Sequence, residues 1–233
     1  MAESAFRSDG MGTLADVFDA VYRGESPFGK RPPWDIGGPQ PAFVAVEEAG
    51  LVSNAVLDPG CGTGDNALYL ARKGYAVTGL DLAPTAVTIA RHRARELGLD
   101  ATFEIGNALE LAGYDGCFDT VIDSGLAHTF DAENLRAYAA ALHRACRPGA
   151  VVHVLAISDR GAEQMQARLA EAIEQIPAKL SDSGPKRSID DLRKGFADGW
   201  TVESITDTTM HAIVPPTSEP FDTHAWLGRF RRS

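Results

Sequence analysis

Cysteine is scarce in this 233-residue chain. Cys61, Cys117 and Cys146 form no C-x-x-C pair and have no metal-ligand spacing. That argues against a disulfide scaffold or a metal site and for a reducing, cytoplasmic setting. Basic residues are in deficit too: Lys+Arg 22 against Asp+Glu 32 leaves a net charge of −10. Such a chain lacks the cationic footprint that a nucleic-acid backbone demands. Long apolar runs are missing. The most apolar stretch, Val151 to Ile157, is broken by His153 and falls far short of the ~20 residues that cross a bilayer. The N-terminus has no basic region followed by an apolar run, so no signal peptide is expected. These deficits argue for a small-molecule partner and against nucleic acid or membrane; a monomer or homodimer is expected.

What remains is ordinary for a globule: 44% hydrophobic and 23% charged residues, enough for one sizeable core. From residue 41 the pattern alternates. Pro41 to Ala49 reads as a short helix. Strands are expected at Ala55–Leu57, Ala76–Leu80, Thr102–Ile105, Phe118–Ile122 and Val151–Ile157. Helices fall between them at Asn66–Lys73, Pro84–Leu97 and, capped by Asp131, through Ala145. Alternating strands and helices imply a parallel sheet covered on both faces, with ligands beyond the C-terminal strand ends. Asp58, Asp81, Asn107 and Asp123 stand at those ends.

The flanks are less regular. Thr13 could cap a helix through Val21, and Ser26 to Pro41 is too rich in proline and glycine for a regular element. Trp34, inside that stretch, fits a lid over a site or a plug at the sheet edge. Gly161 to Pro177 is an amphipathic helix that either roofs a substrate site or simply packs. Ser188 should cap Ile189–Phe196. Trp200–Ile205 and Met210–Val214 are expected to form an antiparallel hairpin, and Ala225–Phe230 a last helical turn.

The chemistry concentrates at Asp58-Pro59-Gly60-Cys61-Gly62-Thr63-Gly64-Asp65, between the first strand and its helix. Dinucleotide sites place glycine at the first, third and sixth positions; here the sixth is Asp65. The variant, with its leading acid, resembles the first motif of class I S-adenosylmethionine (SAM) methyltransferases. A carboxylate such as Asp58 suits the ammonium of that cofactor, while Gly60, Gly62 and Gly64 let the backbone approach closely. Cys61 is a small residue fitting a tight turn. Asp81 can accept both ribose hydroxyls or cap the helix behind it, with Leu82 beside it. Asn107 and Ala108 could meet adenine, or Asn107 is a turn residue. Asp123 and Ser124 should line cofactor and acceptor. His128 is the candidate acid/base, a catalytic role weighed against a wall position.

Leu80-Asp81-Leu82-Ala83-Pro84 and Arg147-Pro148-Gly149 extend the resemblance over most of the chain. More narrowly, Tyr22-Arg23-Gly24-Glu25, Arg31 to Gly37, Pro39-Gln40-Pro41 and Tyr114 to Asp119 resemble the mycobacterial heterocyclic toxin methyltransferases, relatives of the thiopurine methyltransferases. The resemblance implies an α/β, Rossmann-like, seven-stranded and mostly parallel sheet with an N-terminal lid over residues 1–40 and a substrate-side insertion at 161–187, all in one domain. It implies SAM as cofactor, no metal, and methyl transfer to an oxygen or nitrogen of a small aromatic heterocycle. Trp34 and Gln40 would join the cofactor or acceptor wall, and His128 matches a histidine after the fourth strand. A nicotinamide oxidoreductase, a SAM-binding protein without transferase activity and a partner-dependent macromolecular methyltransferase are the alternatives.

Overall fold

A computed structural model describes residues 14–25, 31–172, 186–214 and 219–233. The expected Thr13 cap, the helix beyond Ala172 and the loop from Ser181 to Pro185 lie outside the described residues.

The chain runs α1 (Leu14–Tyr22), α2 (Pro41–Glu48), β1 (Ala55–Pro59), α3 (Asp65–Arg72), β2 (Ala76–Asp81), α4 (Pro84–Leu97), β3 (Ala101–Ile105) and β4 (Phe118–Ser124). It continues through a 3-10 turn (Ala127–Thr129), α5 (Ala132–Ala145), β5 (Cys146–Ile157), α6 (Asp159–Ala172), α7 (Ile189–Gly195), β6 (Trp200–Ala212) and β7 (Phe221–Arg232). The strands form one seven-stranded sheet in the order β3-β2-β1-β4-β5-β7-β6. The first five pair in parallel, and β7 joins β5 and β6 antiparallel. Strand order reverses between β1 and β4, which opens a crevice at their C-terminal ends.

Burial explains the apolar runs. Successive residues point to opposite faces of a strand. Leu57, Val121, Val154 and Ala156 enter one core with Leu135, Tyr138 and Leu142 of α5 and Leu192 of α7. Their neighbours Val56, Ile122, Leu155 and Ile157 enter the other, with Phe43 of α2, Leu68 of α3 and Val87 of α4. A sheet covered on both faces cannot alternate with polar residues. Local signals set several helix ends. Pro84 starts α4 and Gly98, with φ +63°, ends it. Asp131 accepts the Asn134 N–H, and Ser188 with Asp191 forms a capping box on α7.

The C-terminal third departs from expectation. β6 is one strand from Trp200 to Ala212, and its partner is β7 rather than its own second half. Thr206-Asp207-Thr208-Thr209 has turn-like composition, yet β7 pairs with it residue for residue. Ala225–Phe230 is strand, not helix: Thr223 and Ala225, and then Gly228 and Phe230, are buried as alternate residues, and all pair with β5 or β6. Gly228 is needed there, because a Cβ would lie 2.6 Å from the Phe230 ring. α6 begins two residues earlier than expected, with Ser158 Oγ accepting the Gly161 N–H at 3.0 Å. Among the described residues no helix is long and apolar enough to cross a membrane.

Candidate active site

The glycine turn is compressed from three sides. Gly60, Gly62 and Gly64 have φ of +71°, +53° and +87°, a region that side chains other than glycine rarely enter. A Cβ on Gly60 would meet Leu126 at 3.2 Å, on Gly62 the Tyr22 hydroxyl at 2.7 Å, and on Gly64 the Phe103 ring at 2.9 Å. The Gly60 and Cys61 N–H groups donate to Leu80 O. Cys61 is a free, buried thiol that burial holds well above its ordinary pKa, as a packing role requires. Asp81 braces the turn from β2: one oxygen accepts the Gly62 N–H at 2.9 Å and the other the Ala83 N–H at 2.8 Å. Burial raises its pKa. Each oxygen keeps a lone pair for a further donor, so capping and ligand binding are compatible here. Leu82 follows, half-buried.

Asp58 lies under the turn with 1% of its surface exposed. It accepts a backbone bond from Ala67, but its Oδ2 is buried without a partner. Desolvation and then the Asp123 charge push its pKa well above the ordinary carboxylate range. An unpaired buried acceptor is costly, and a cationic donor would satisfy it. The ammonium of SAM is such a donor, so the residues present fit that cofactor. A dinucleotide pyrophosphate would instead meet a carboxylate.

The N-terminal segment packs across this mouth. Asp19 of α1 accepts the Thr85 N–H at 2.7 Å, placing Tyr22 over Gly62. Trp34 Nε1 donates to the Tyr22 hydroxyl at 3.1 Å, and its ring meets Phe18 edge-on. With 39% of its surface exposed, Trp34 is not a buried plug. Gln40 is an anchor: its amide donates to His211 O and accepts the His211 N–H, both at 2.9 Å. Pro33 O accepts the Ile213 N–H, so the strap is tied twice to the end of β6. Arg23 pairs with Asp19 and Glu25 on the surface. A cavity of ≈ 320 Å³ lies between strap and turn, lined by Tyr22, Arg31, Asp35, Thr63 and Arg93 among others.

Near the end of β4, Asp123 turns inward. Its carboxylate accepts from Leu126 and Ala127 N–H groups and from the Tyr138 hydroxyl, at 2.8 to 3.2 Å. Burial pushes its pKa up to about 6. Asp123 therefore shapes the loop from within; Ser124, half-buried, sits at the strand end. Asn107 is also occupied locally, accepting the Leu109 N–H and donating to Glu110, the turn arrangement; Ala108 is buried beside it.

His128 is buried, and its Nδ1 accepts the Ile157 N–H at 3.0 Å. Burial and the nearby Arg187 charge lower its pKa to about 3. A neutral imidazole whose Nδ1 accepts must carry its proton on Nε2. The candidate acid/base thus presents a hydrogen on Nε2 in this structure. Its Cε1 and Nε2 approach to 3.1 and 3.4 Å the position that a Cβ on Gly125 would take, and Met210 Cε reaches the same point at 3.0 Å. Arg187 is tied to this loop through Nε on Ala127 O, and its backbone N–H bonds Ile157 O.

The strand-end prediction thus brought together Asp58, the three glycines, Cys61 and Asp81. Met210 and Arg187 carried no comparable signal. They reach the site from elements remote in sequence, whereas Tyr22 stood out in the Tyr22-Arg23-Gly24-Glu25 run of the family resemblance.

Comparison with known proteins follows the same outline. A family model described as a methyltransferase domain matches residues 56–149. The chain is 39% identical over 202 residues to the 2-heptyl-1-hydroxyquinolin-4(1H)-one methyltransferase of Mycobacteroides abscessus, covering 85% of this chain and 82% of the relative. It is 67% identical, with a TM-score of 0.90 over 94% of this chain and 92% of the other, to a solved structure concerned with conversion of a disulfide bond into a thioacetal group during echinomycin biosynthesis. The magnesium protoporphyrin IX methyltransferase of Synechocystis, solved with bound SAH, shares the fold at 18% identity and a TM-score of 0.60, covering 97% of this chain and 90% of the other.

Proposed function

Because the chain belongs to the class I SAM-dependent methyltransferases, we propose that within them it methylates a sulfur of a disulfide-bridged small molecule. The observation that carries this reading is the 67% identity, along nearly the whole chain, to the structure concerned with thioacetal formation from a disulfide.

SAM, when bound, supplies a methyl group already activated by its sulfonium. The chain's own residues do the rest. Asp58 Oδ2 would receive the ammonium, Asp81 the ribose hydroxyls, and the side-chain-free backbone at Gly60, Gly62 and Gly64 would let the cofactor approach closely. Tyr22, Trp34 and the Gln40 anchor would exclude water. Placement of the nucleophile in line with the methyl carbon then contributes most of the rate.

The geometry at His128 favours a nucleophile that needs no deprotonation. A phenol or ring N–H must lose a proton before or during attack, and the imidazole nearest the loop offers a proton instead. A disulfide sulfur attacks with a lone pair and has no proton to lose. Methylation leaves that sulfur cationic and acidifies the adjacent C–H. Loss of this proton to water forms a C=S bond and expels the partner sulfur as thiolate, which adds back to the same carbon. The net change is one disulfide and one methyl cation to one thioacetal and one proton.

A second reading, methylation of an oxygen or nitrogen on a heterocycle, is supported by the 39% identity to the hydroxyquinolone enzyme. An N-hydroxyl is acidic enough to ionise without a base, so that acceptor would not call on His128 to remove a proton. Incubation of the protein and SAM with the disulfide precursor of echinomycin, and separately with 2-heptyl-1-hydroxyquinolin-4(1H)-one, decides between them by mass spectrometry. A product heavier by one CH2 from the disulfide alone supports the first reading; product from the quinolone alone overturns it.

A further inference from the structure

Ile157, the last residue of β5, is gripped on both sides of its peptide. Its N–H is taken by His128 Nδ1, and its carbonyl receives the Arg187 N–H. The first bond fixes the imidazole tautomer. The second brings the chain back from the region after α6 to the same point, with Arg187 Nε on Ala127 O and Nη2 buried without a partner. Arg187 thus places positive charge beside His128 and opposes its protonation. Nε2 remains, carrying a hydrogen, on the edge of the ring that converges with Met210 Cε on bare Gly125, directly beyond β4. That is the strand end where an acceptor must approach the methyl group.

We infer that His128 acts through its Nε2–H as a hydrogen-bond donor to an electron-rich atom beside the one methylated: in a disulfide, the partner sulfur. The inference rests on the methyl-transfer reading above and assigns a contact within it. As the S–S bond breaks, its electron pair collects on the partner sulfur; a donor already aimed there stabilises the developing thiolate without giving up its proton. The same N–H cannot serve as the base that removes the C–H proton, which leaves to water.

The side-chain amides separate this role from a merely structural one. His128→Asn places an amide oxygen near the old Nδ1, where it can still accept the Ile157 N–H, but removes the outer donor. His128→Gln places an amide N–H near the old Nε2. Tm, SAH affinity, kcat and acceptor KM are measured for each with the acceptor that the wild type turns over. Expected is a roughly 10- to 100-fold loss of kcat in the Asn variant, the worth of one donor to a charged atom, with Tm and SAH affinity unchanged and partial recovery in the Gln variant. An Asn variant as active as wild type, or a Gln variant no better than Asn, overturns the donor role. Nitrogen-15 shifts of the wild-type histidines provide a second test independent of turnover. A neutral His128 protonated on Nε2 at pH 7 is expected; a proton on Nδ1, or an imidazolium, overturns the inference. Absence of product from the wild type with either acceptor would sink the acceptor assignment instead, leaving the tautomer result to decide whether a donor faces the site.

Discussion

Replacing Asp58 with asparagine should move cofactor affinity and apo stability in opposite directions. The carboxylate is buried, its Oδ2 is unpartnered, and Asp123 lies close enough to repel it. Without a cation the folded state disfavours the charged form. The sign follows from its raised pKa: stability is unaffected below the ordinary carboxylate value and is lost as pH rises from there toward the folded value. At pH 7 the wild type therefore carries the penalty, about 1–3 kcal/mol for one unsatisfied buried group. The amide keeps the shape and can accept from Ala67, so the variant should recover part of it. For a chain of this size, each 1 kcal/mol moves Tm by roughly 2–4 °C. With cofactor present the balance reverses. A charge-assisted bond to the ammonium is worth ~1.5–3 kcal/mol, so Kd for SAH should rise about 10- to 150-fold. Calorimetric titration at pH 7.5 and thermal melts with and without SAH measure both. A variant binding SAH within twofold of wild type would refute the assignment of Asp58 to the ammonium.

Gly161→Ala should loosen α6, since its Cβ would lie 2.0 Å from the His224 carbonyl; a loss of ~1–3 kcal/mol is expected for such overpacking, read as a lower Tm. Gln40→Ala removes both bonds to His211 and should speed SAH dissociation and proteolytic cutting before residue 40 while the sheet core stays intact; unchanged dissociation would separate strap from cofactor. His153 donates to Leu51 O, and burial lowers its pKa to about 4. Its contribution is intact above the ordinary value of 6.5 and is lost as pH falls from there toward 4, by at most about 3 kcal/mol. A His153→Gln variant should show a shallower fall in Tm between pH 7 and pH 5.

The residues closest together in sequence were the most legible. The run from Asp58 to Asp65 joins a strand to a helix within one turn, so its spacing argued against a dinucleotide and pointed to the cofactor. The Asp131 and Ser188 caps and the five parallel strands were readable for the same reason: each depends on neighbours a few residues away. β7 was not, because its exposed and buried positions make sense only once β5 and β6 flank it. Thr206 to Thr209 looked like a turn until a partner strand took up its backbone groups.

The amino-acid order, by local sterics and hydrophobic period, determined the strand sequence, the cradle of Asp58 and its glycines, and hence the family. Tertiary structure decided which side chains there are free to act. Asp123 is consumed by Tyr138 and its own loop, Gln40 by His211, 171 residues away, and His128 takes its tautomer from Ile157 on another strand. A polar side chain's chemistry depends on which of its atoms are already bonded, and those bonds come from residues that only the folded chain brings within 3 Å.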